Sequence, residues 1–171
     1  MTETSRPVRQ GLLRVYLNDH LAGATTGAGL ARRMAASADP GTESARVLGD
    51  LAGEIAEDRS ALVTIMGTLG LGVRGYKVLA AWAGEKAGRL KLNGHLLTRS
   101  PLSDLEETEM LRLGVEGKAA VWRTLRVLAE ADSRIDPHRL DELIARADRQ
   151  SRLLESLRAS LAGQVLTAGA R

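Results

Sequence analysis

Four side chains in this sequence have the types and the spacing expected of a polar site inside a helical protein. They are His20, Glu54, Asp58 and Glu116, and each lies on or beside an otherwise apolar helical stripe. An imidazole and three carboxylates can bind one Mn²⁺, Fe²⁺ or Zn²⁺ ion, with water positions left for chemistry. They can also hydrogen-bond to one another as a structural cluster without a cofactor. We favour the structural interpretation and expect no catalytic residues; the alternative is a metal-binding oxidoreductase.

Proline residues mark where the helices that position these side chains begin. Three prolines directly follow a residue whose side chain can cap a helix, as in Asp39-Pro40, Ser100-Pro101 and Asp136-Pro137. Together with the apolar periodicity they predict helices over 7–36, 40–69, 101–131 and 137–167. Four helices of similar length predict an all-α four-helix bundle.

Apolar residues at intervals of three and four predict the inward stripe of each helix. The first stripe contains Leu13, Leu17, His20, Ala24, Gly27, Ala31 and Met34. The second contains Leu48, Leu51, Ile55, Asp58, Leu62, Ile65 and Leu69. The third contains Leu102, Leu105, Glu109, Leu113, Glu116 and Ala120 and drifts to Leu125 and Leu128 at its end. The fourth contains Leu140, Leu143, Ile144, Ala147, Ser151, Leu154, Leu157, Leu161 and Val165, with neither histidine nor carboxylate.

Counting residues from the turns indicates which side chains share a level in the bundle. In an antiparallel hairpin centred near residue 38, His20 faces position 56, between Glu54 and Asp58. Glu116 reaches the same level if the third helix runs parallel to the second. In the structural hypothesis His20 bonds to the two carboxylates of the second helix, and Glu116 pairs with an arginine such as Arg152. Flanking candidates are Tyr16, Glu57, Glu109, Ser151 and Arg152.

The connection over residues 70–100 is too long for a tight turn between neighbouring helices. It predicts a crossover along the bundle, carrying a short helix over 75–90 with Val78, Leu79, Trp82 and Ala83 on one side. We expect a homodimer, if one forms, to use Trp82 or the small-residue face of the first helix, which contains Gly23, Ala24, Gly27, Ala28 and Gly29. A dimeric protein-interaction module is a further alternative.

Two helical hairpins joined by one long crossover, with His20, Glu54, Asp58 and Glu116 meeting midway, resemble the ferritin-like superfamily. The resemblance implies a ferritin-like four-helix bundle, which in many members holds two metal ions at this level. Those members use Glu-x-x-His on two helices and a single glutamate on each of the other two. This sequence contains no Glu-x-x-His, and Glu54-x-x-Glu57 stands where the second helix would carry it. The resemblance therefore implies a degenerate member.

Composition limits the remaining function classes. The chain has 171 residues, a net charge of +3 and no cysteine, so we expect one domain over 1–171 without disulfides or sulfur-ligated metals. Acidic and basic residues alternate, and the aromatic residues are two Trp and two Tyr, a composition that argues against nucleic-acid binding. Because no long apolar stretch is present, we expect neither a secretory signal nor a membrane span, and a cytoplasmic location.

Overall fold

A computed structural model describes residues 8–73 and 101–167 of the chain. These residues form four α-helices, α1 (Gln10–Ser37), α2 (Glu43–Thr68), α3 (Pro101–Leu128) and α4 (Pro137–Leu166). The two described stretches contain no β-strand, so the predicted all-α class is confirmed. Apart from 70–73, the predicted crossover and its Trp82 helix lie outside the described residues. None of the four described helices combines the length and the apolarity needed to cross a bilayer.

Side-chain caps set two of the helix starts. The Asp136 carboxylate accepts hydrogen bonds from two backbone N–H groups of the first turn of α4, as its position before proline predicts. The predicted start of α2 at residue 40 is wrong, because Gly41 has a φ of +81°, which a right-handed helix does not allow. The helix begins instead at Glu43, where the Thr42 hydroxyl accepts from the N–H of Ala45 at 3.1 Å.

Contacts at one end of the bundle establish the directions of the helices. α1 packs against α2 and α3, and α3 packs against α4. Arg134, between α3 and α4, donates from Nη1 to the carbonyl of Leu69 at 3.4 Å, just after α2 ends. Asn18, near the start of α1, donates from Nδ2 to the carbonyl of Gly72 at 3.2 Å. The ends of α2 and α3 therefore lie together with the starts of α1 and α4, and α2 and α3 run in the same direction.

The core is formed by leucines from all four helices around the buried Trp122. Each fully buried leucine contributes roughly 1.5–3 kcal/mol to stability. The largest fully buried apolar side chains are Leu17, Leu21, Met66, Leu111, Trp122, Leu125, Leu140, Leu143 and Leu154. In the second half of α1, Ala28 and Ala31 also face the core, whereas Gly23 is exposed.

The inward face of α3 differs from the predicted stripe. Leu111, Val115 and Trp122 are buried, whereas Leu113, predicted to face inward, is 70% exposed. A face that follows a 4-3-4-3 spacing from residue 111 to residue 125 buries the large indole together with three aliphatic side chains. The predicted stripe joins this face at its end, where Leu125 is fully buried. This rotation decides which charged residue of α3 reaches the interior.

Candidate functional site

A buried carboxylate, Asp58, lies at the centre of the polar site. Asp58 is in the middle of α2, on its inward face, and is only 1% exposed. Lys118 of α3 donates from Nζ to its Oδ2. Arg146 of α4 approaches from the other side, with Nη2 2.8 Å from Oδ1 in an ion pair whose N–H is not aligned for a hydrogen bond. One carboxylate thus lies between two cations from two other helices.

The amide of Gln150 completes the contacts between the helices. Gln150 of α4 is 2% exposed, and its Nε2 donates to Oε2 of Glu54 at 2.8 Å and to Oδ2 of Asp58 at 3.3 Å. Its Oε1 accepts from Nζ of Lys118. A neutral amide both donates and accepts, so it can bridge carboxylates and an ammonium group at once. Glu54, Glu57, Asp58, Lys118, Arg146 and Gln150 are called the Asp58 network below.

The network reaches solvent at its α2–α4 edge. Nη1 of Arg146 lies 2.7 Å from Oε2 of Glu57, which is exposed. Beside this pair an open groove of about 580 Å³ runs between the two helices; its lining residues are Ala56, Glu57, Ser60, Ala61, Thr64, Ile65 and Arg139. The groove thus adjoins the network at the exposed Glu57, and the buried Asp58 does not line it.

Burial and charge oppose each other at Lys118. Removal from water lowers the pKa of the Lys118 ammonium, while the neighbouring Asp58 carboxylate acts to raise it. Burial of an unpaired charge at this depth costs roughly several kcal/mol in lost hydration. A close counter-ion offsets much of that cost. Asp58 is 1% exposed and both of its oxygens lie close to cations, so its negative charge is compensated within the bundle.

His20 lies apart from this network. It is half-buried on the flank of α1, and its ring contacts the ring of Tyr16 edge-on, with centroids 4.6 Å apart and planes at 64°. Burial lowers the pKa of the His20 imidazole, and the carboxylate of Asp19 partly opposes this. The position follows from α1 burying Leu17 and Leu21, because the residue before Leu21 points about 100° away from the core.

Tyr16 connects α1 to α3. Its Oη lies 3.2 Å from Oγ1 of Thr124, within hydrogen-bond distance. The predicted meeting of His20 with Glu54 and Asp58 is replaced in the structure by Lys118 and Arg146, which reach Asp58 from α3 and α4.

The other predicted residues lie on the surface between α3 and α4. Glu116 is exposed and accepts a hydrogen bond from the hydroxyl of Ser151, while Arg152 points to solvent. Glu109 is also exposed, and its Oε1 lies 3.9 Å from Nη1 of Arg158. The rotation of α3 explains the placement, because a helix that buries Leu111 and Val115 turns positions 109 and 116 outward. Of the four predicted cluster residues, Glu54 and Asp58 share the network.

Metal ligation was the alternative interpretation of the predicted cluster. Within residues 8–73 and 101–167, no group of three or more His, Asp or Glu side chains is arranged to hold a metal ion. The whole sequence lacks cysteine, so thiolate ligands are also excluded. The groups around Asp58 are two cations and an amide. They stabilise its negatively charged carboxylate and do not form a ligand set for a metal cation.

Spacing in the sequence could have revealed two of the missed residues. Gln150 completes the series 140, 143, 147, 150, 154, in which the remaining four members are buried leucines or alanines. Lys118 completes the series 111, 115, 118, 122, 125, in which the remaining four members are buried apolar residues. If the intervals along each helix are required to alternate strictly between three and four residues, both side chains are predicted to lie inside. Arg146, one residue before Ala147, has no comparable signal, because its long side chain reaches the site from the flank of α4.

Comparison with known proteins yields no match: no family model fits the chain, and neither the curated proteins nor the solved structures include one similar to it. The function must therefore be inferred from the geometry of the site and of the surface. The two features that carry such an inference are the Asp58 network and the exposed apolar residues of α3.

Proposed function

We propose that this protein is a non-catalytic helical scaffold that acts by binding other protein surfaces, and that the Asp58 network holds its helices in place. The observation that carries the proposal is the pairing of the buried Asp58 with Lys118 and Arg146. A carboxylate with two cationic partners is a structural ion cluster, since a general base or metal ligand needs an accessible lone pair. We propose no catalytic residue.

Exposed apolar side chains support a binding role. Leu113 and Val127, both on α3, are 70% and 67% exposed, and Met110 is exposed on the same side of the helix. Contiguous exposed apolar surface on a folded protein usually marks a site of interaction. The buried charges of the interior thus have a structural explanation. The exposed apolar residues of α3 have no such explanation within the chain's own described helices.

We also propose a ferritin-like arrangement that lacks the di-metal centre. In support, α1 contacts both α2 and α3, and the contact of Arg134 with Leu69 makes α2 and α3 parallel. Parallel α2 and α3 support a crossover connection between these two helices, which we propose as part of this arrangement. The residues that would ligate metal at mid-height are replaced by Lys118, Arg146 and Gln150.

Metal analysis tests the non-catalytic assignment directly. The protein is purified without chelator, incubated separately with Mn²⁺, Fe²⁺ and Zn²⁺, passed through a desalting column and analysed for bound metal. We expect only trace amounts, because Lys118 and Arg146 occupy the oxygens of Asp58. Stoichiometric metal that is lost in Asp58→Asn but retained in Asp50→Asn would contradict the proposal, since Asp50 lies on the surface of α2.

A further inference from the structure

The outward face of α3 carries a largely apolar stripe of exposed residues, and at one end of it Oγ1 of Thr124 lies 3.2 Å from Oη of Tyr16 of α1. The stripe consists of Met110, Leu113, Gly117, Ala120, Thr124 and Val127, spaced by three or four residues so that they share one side of the helix. Gly117 is half-exposed and the others are exposed. On the opposite side of α3, Leu111, Val115, Trp122 and Leu125 are buried in the core. The six residues of the stripe are called the α3 outer stripe below.

Gly117 is unexplained by packing within the chain. A glycine inside a helix costs about 1 kcal/mol relative to alanine. A Cβ built at Gly117 would meet no atom within 4 Å, so the chain's own described packing does not require the missing side chain. A helix approaching from outside would require it, because small residues permit interaxial distances near the lower end of about 8–10 Å.

We infer that the α3 outer stripe binds a second copy of this chain, with the two α3 helices packed antiparallel about a two-fold axis near residue 115. This inference rests on the proposed binding role and names the partner. Reversal of α3 about residue 115 brings two large side chains opposite small ones, while Thr124 and Val127 come opposite Glu106 and Ser103, outside the stripe. Leu113 faces Gly117 of the other copy, and Met110 faces Ala120. A parallel pairing in register would set Leu113 against itself.

The charges beside the stripe are also self-complementary when the helix is reversed. Along the flank nearest α4, α3 carries Glu109, Arg112, Glu116 and Arg123, which also contact Arg158, Glu155, Ser151 and Asp148 of the chain's own α4. On antiparallel helices the same flanks meet, so Glu109 lies near Arg123 of the second copy and Arg112 lies near Glu116. In a symmetric parallel pair each flank would meet the opposite flank of the second helix, so these charges would not face one another. Each exposed ion pair contributes only about 0–1 kcal/mol, so these charges select direction more than they add affinity.

Sedimentation equilibrium on Leu113→Glu tests the surface. We expect the unmodified chain to be a dimer at tens of micromolar, and the substitution to weaken association by about 100-fold, as for a central contact residue. Leu166→Glu is the matched control, because Leu166 is 66% exposed at the end of α4 and should leave the dimer unchanged. A monomeric unmodified chain, as would occur if its own connecting segment covered the stripe, overturns the inference; so does a dimer that is insensitive to Leu113→Glu.

Gly117→Ala keeps the test valid even if the glutamate variant fails to fold. The added methyl group meets no described atom, so in the monomer it should raise the unfolding midpoint through better helix propensity. In the dimer the same methyl group separates the two helices and should weaken association at least several-fold. Higher monomer stability together with unchanged association would contradict the inference.

Cysteine cross-linking tests the direction, because the sequence contains no cysteine of its own. A short bis-maleimide should link Leu113→Cys to itself near the axis. Leu102→Cys and Val127→Cys should each fail to self-link, since identical positions lie about 38 Å apart at 1.5 Å per residue. A mixture of the two should link. Self-linking of Leu102→Cys would instead show parallel helices and overturn the antiparallel arrangement.

These outcomes are separable from failure of the proposed function. A metal-free chain that is monomeric loses the dimer inference alone, and the scaffold proposal stands. A chain that binds stoichiometric metal loses the scaffold proposal, whatever its state of association.

Discussion

The Asp58 network and the His20–Tyr16 pair both place polar atoms within the bundle, but only the network does so with fully buried charge. At Asp58, three helices contribute a carboxylate, an ammonium, a guanidinium and an amide. At His20, the imidazole is half-buried against an aromatic ring, and Tyr16 meets Thr124 at the surface. The comparison shows that the depth of burial of a polar side chain determines which partners it needs. A fully buried carboxylate requires compensating charge, whereas a half-buried imidazole retains contact with water.

Removal of the central carboxylate should have the largest effect. Asp58→Ala leaves Lys118 and Arg146 facing each other without the anion between them, and we expect a loss of about 3–5 kcal/mol in the free energy of unfolding. Urea denaturation measures it. Asp50→Ala is the control, since its pair with Arg46 is exposed and should change stability by less than about 1 kcal/mol. A loss at Asp58 no larger than this control would show that the cluster is not effectively desolvated.

Loss of the bridging amide should have an intermediate effect. Gln150→Leu fills similar space but removes the acceptor for Lys118 and the donor to Glu54, at a cost of about 1–3 kcal/mol. Gln164→Leu provides the comparison, because the Gln164 amide donates to Ser160 at the exposed end of α4. Equal unfolding midpoints for the two variants would mean that Gln150 occupies the network without stabilising it.

The smallest effect is expected at His20, where it should depend on pH. Burial lowers the pKa of His20 in the folded chain below its usual 6.5, so the unfolded chain binds a proton first as the pH falls. Stability should therefore decrease as the pH is lowered through 6.5 and be recovered as it rises, by less than about 1 kcal/mol for a half-exposed group.

The matched variants for this pH dependence are His20→Gln and His138→Gln. Urea denaturation at pH 7.5 and pH 5.5 should show a smaller pH-dependent loss in His20→Gln than in the unmodified chain. His138 is exposed in the first turn of α4, and its replacement should leave the loss unchanged. If both variants reduce the loss equally, the half-buried position of His20 is not its cause.

The sequence predicts the helices better than it predicts their rotation. Asp136 marks the start of α4 because a cap and a proline act locally, through backbone groups within one turn. The orientation of α3 depends on which residues its neighbours bury. Glu116 and Lys118 lie about 160° apart around the helix, so the orientation that turns Lys118 inward turns Glu116 outward. Leu113 misled the prediction, because a leucine is expected inside and this one is 70% exposed. Lysine and arginine are expected outside, although their long stems allow the charge to reach a buried carboxylate.

The connectivity of Gln150 has a consequence for how the bundle assembles. Its amide fits one alignment only, with the carbonyl toward α3 and the NH₂ group toward α2. Sliding α4 by one turn, about 5.4 Å, would bring Leu154 or Arg146 to that level and leave Lys118 without its acceptor. Leucines alone would tolerate such a slip, since one leucine replaces another. The network therefore penalises misaligned hairpins during folding, and a single amide sets the alignment of α4 against the other helices.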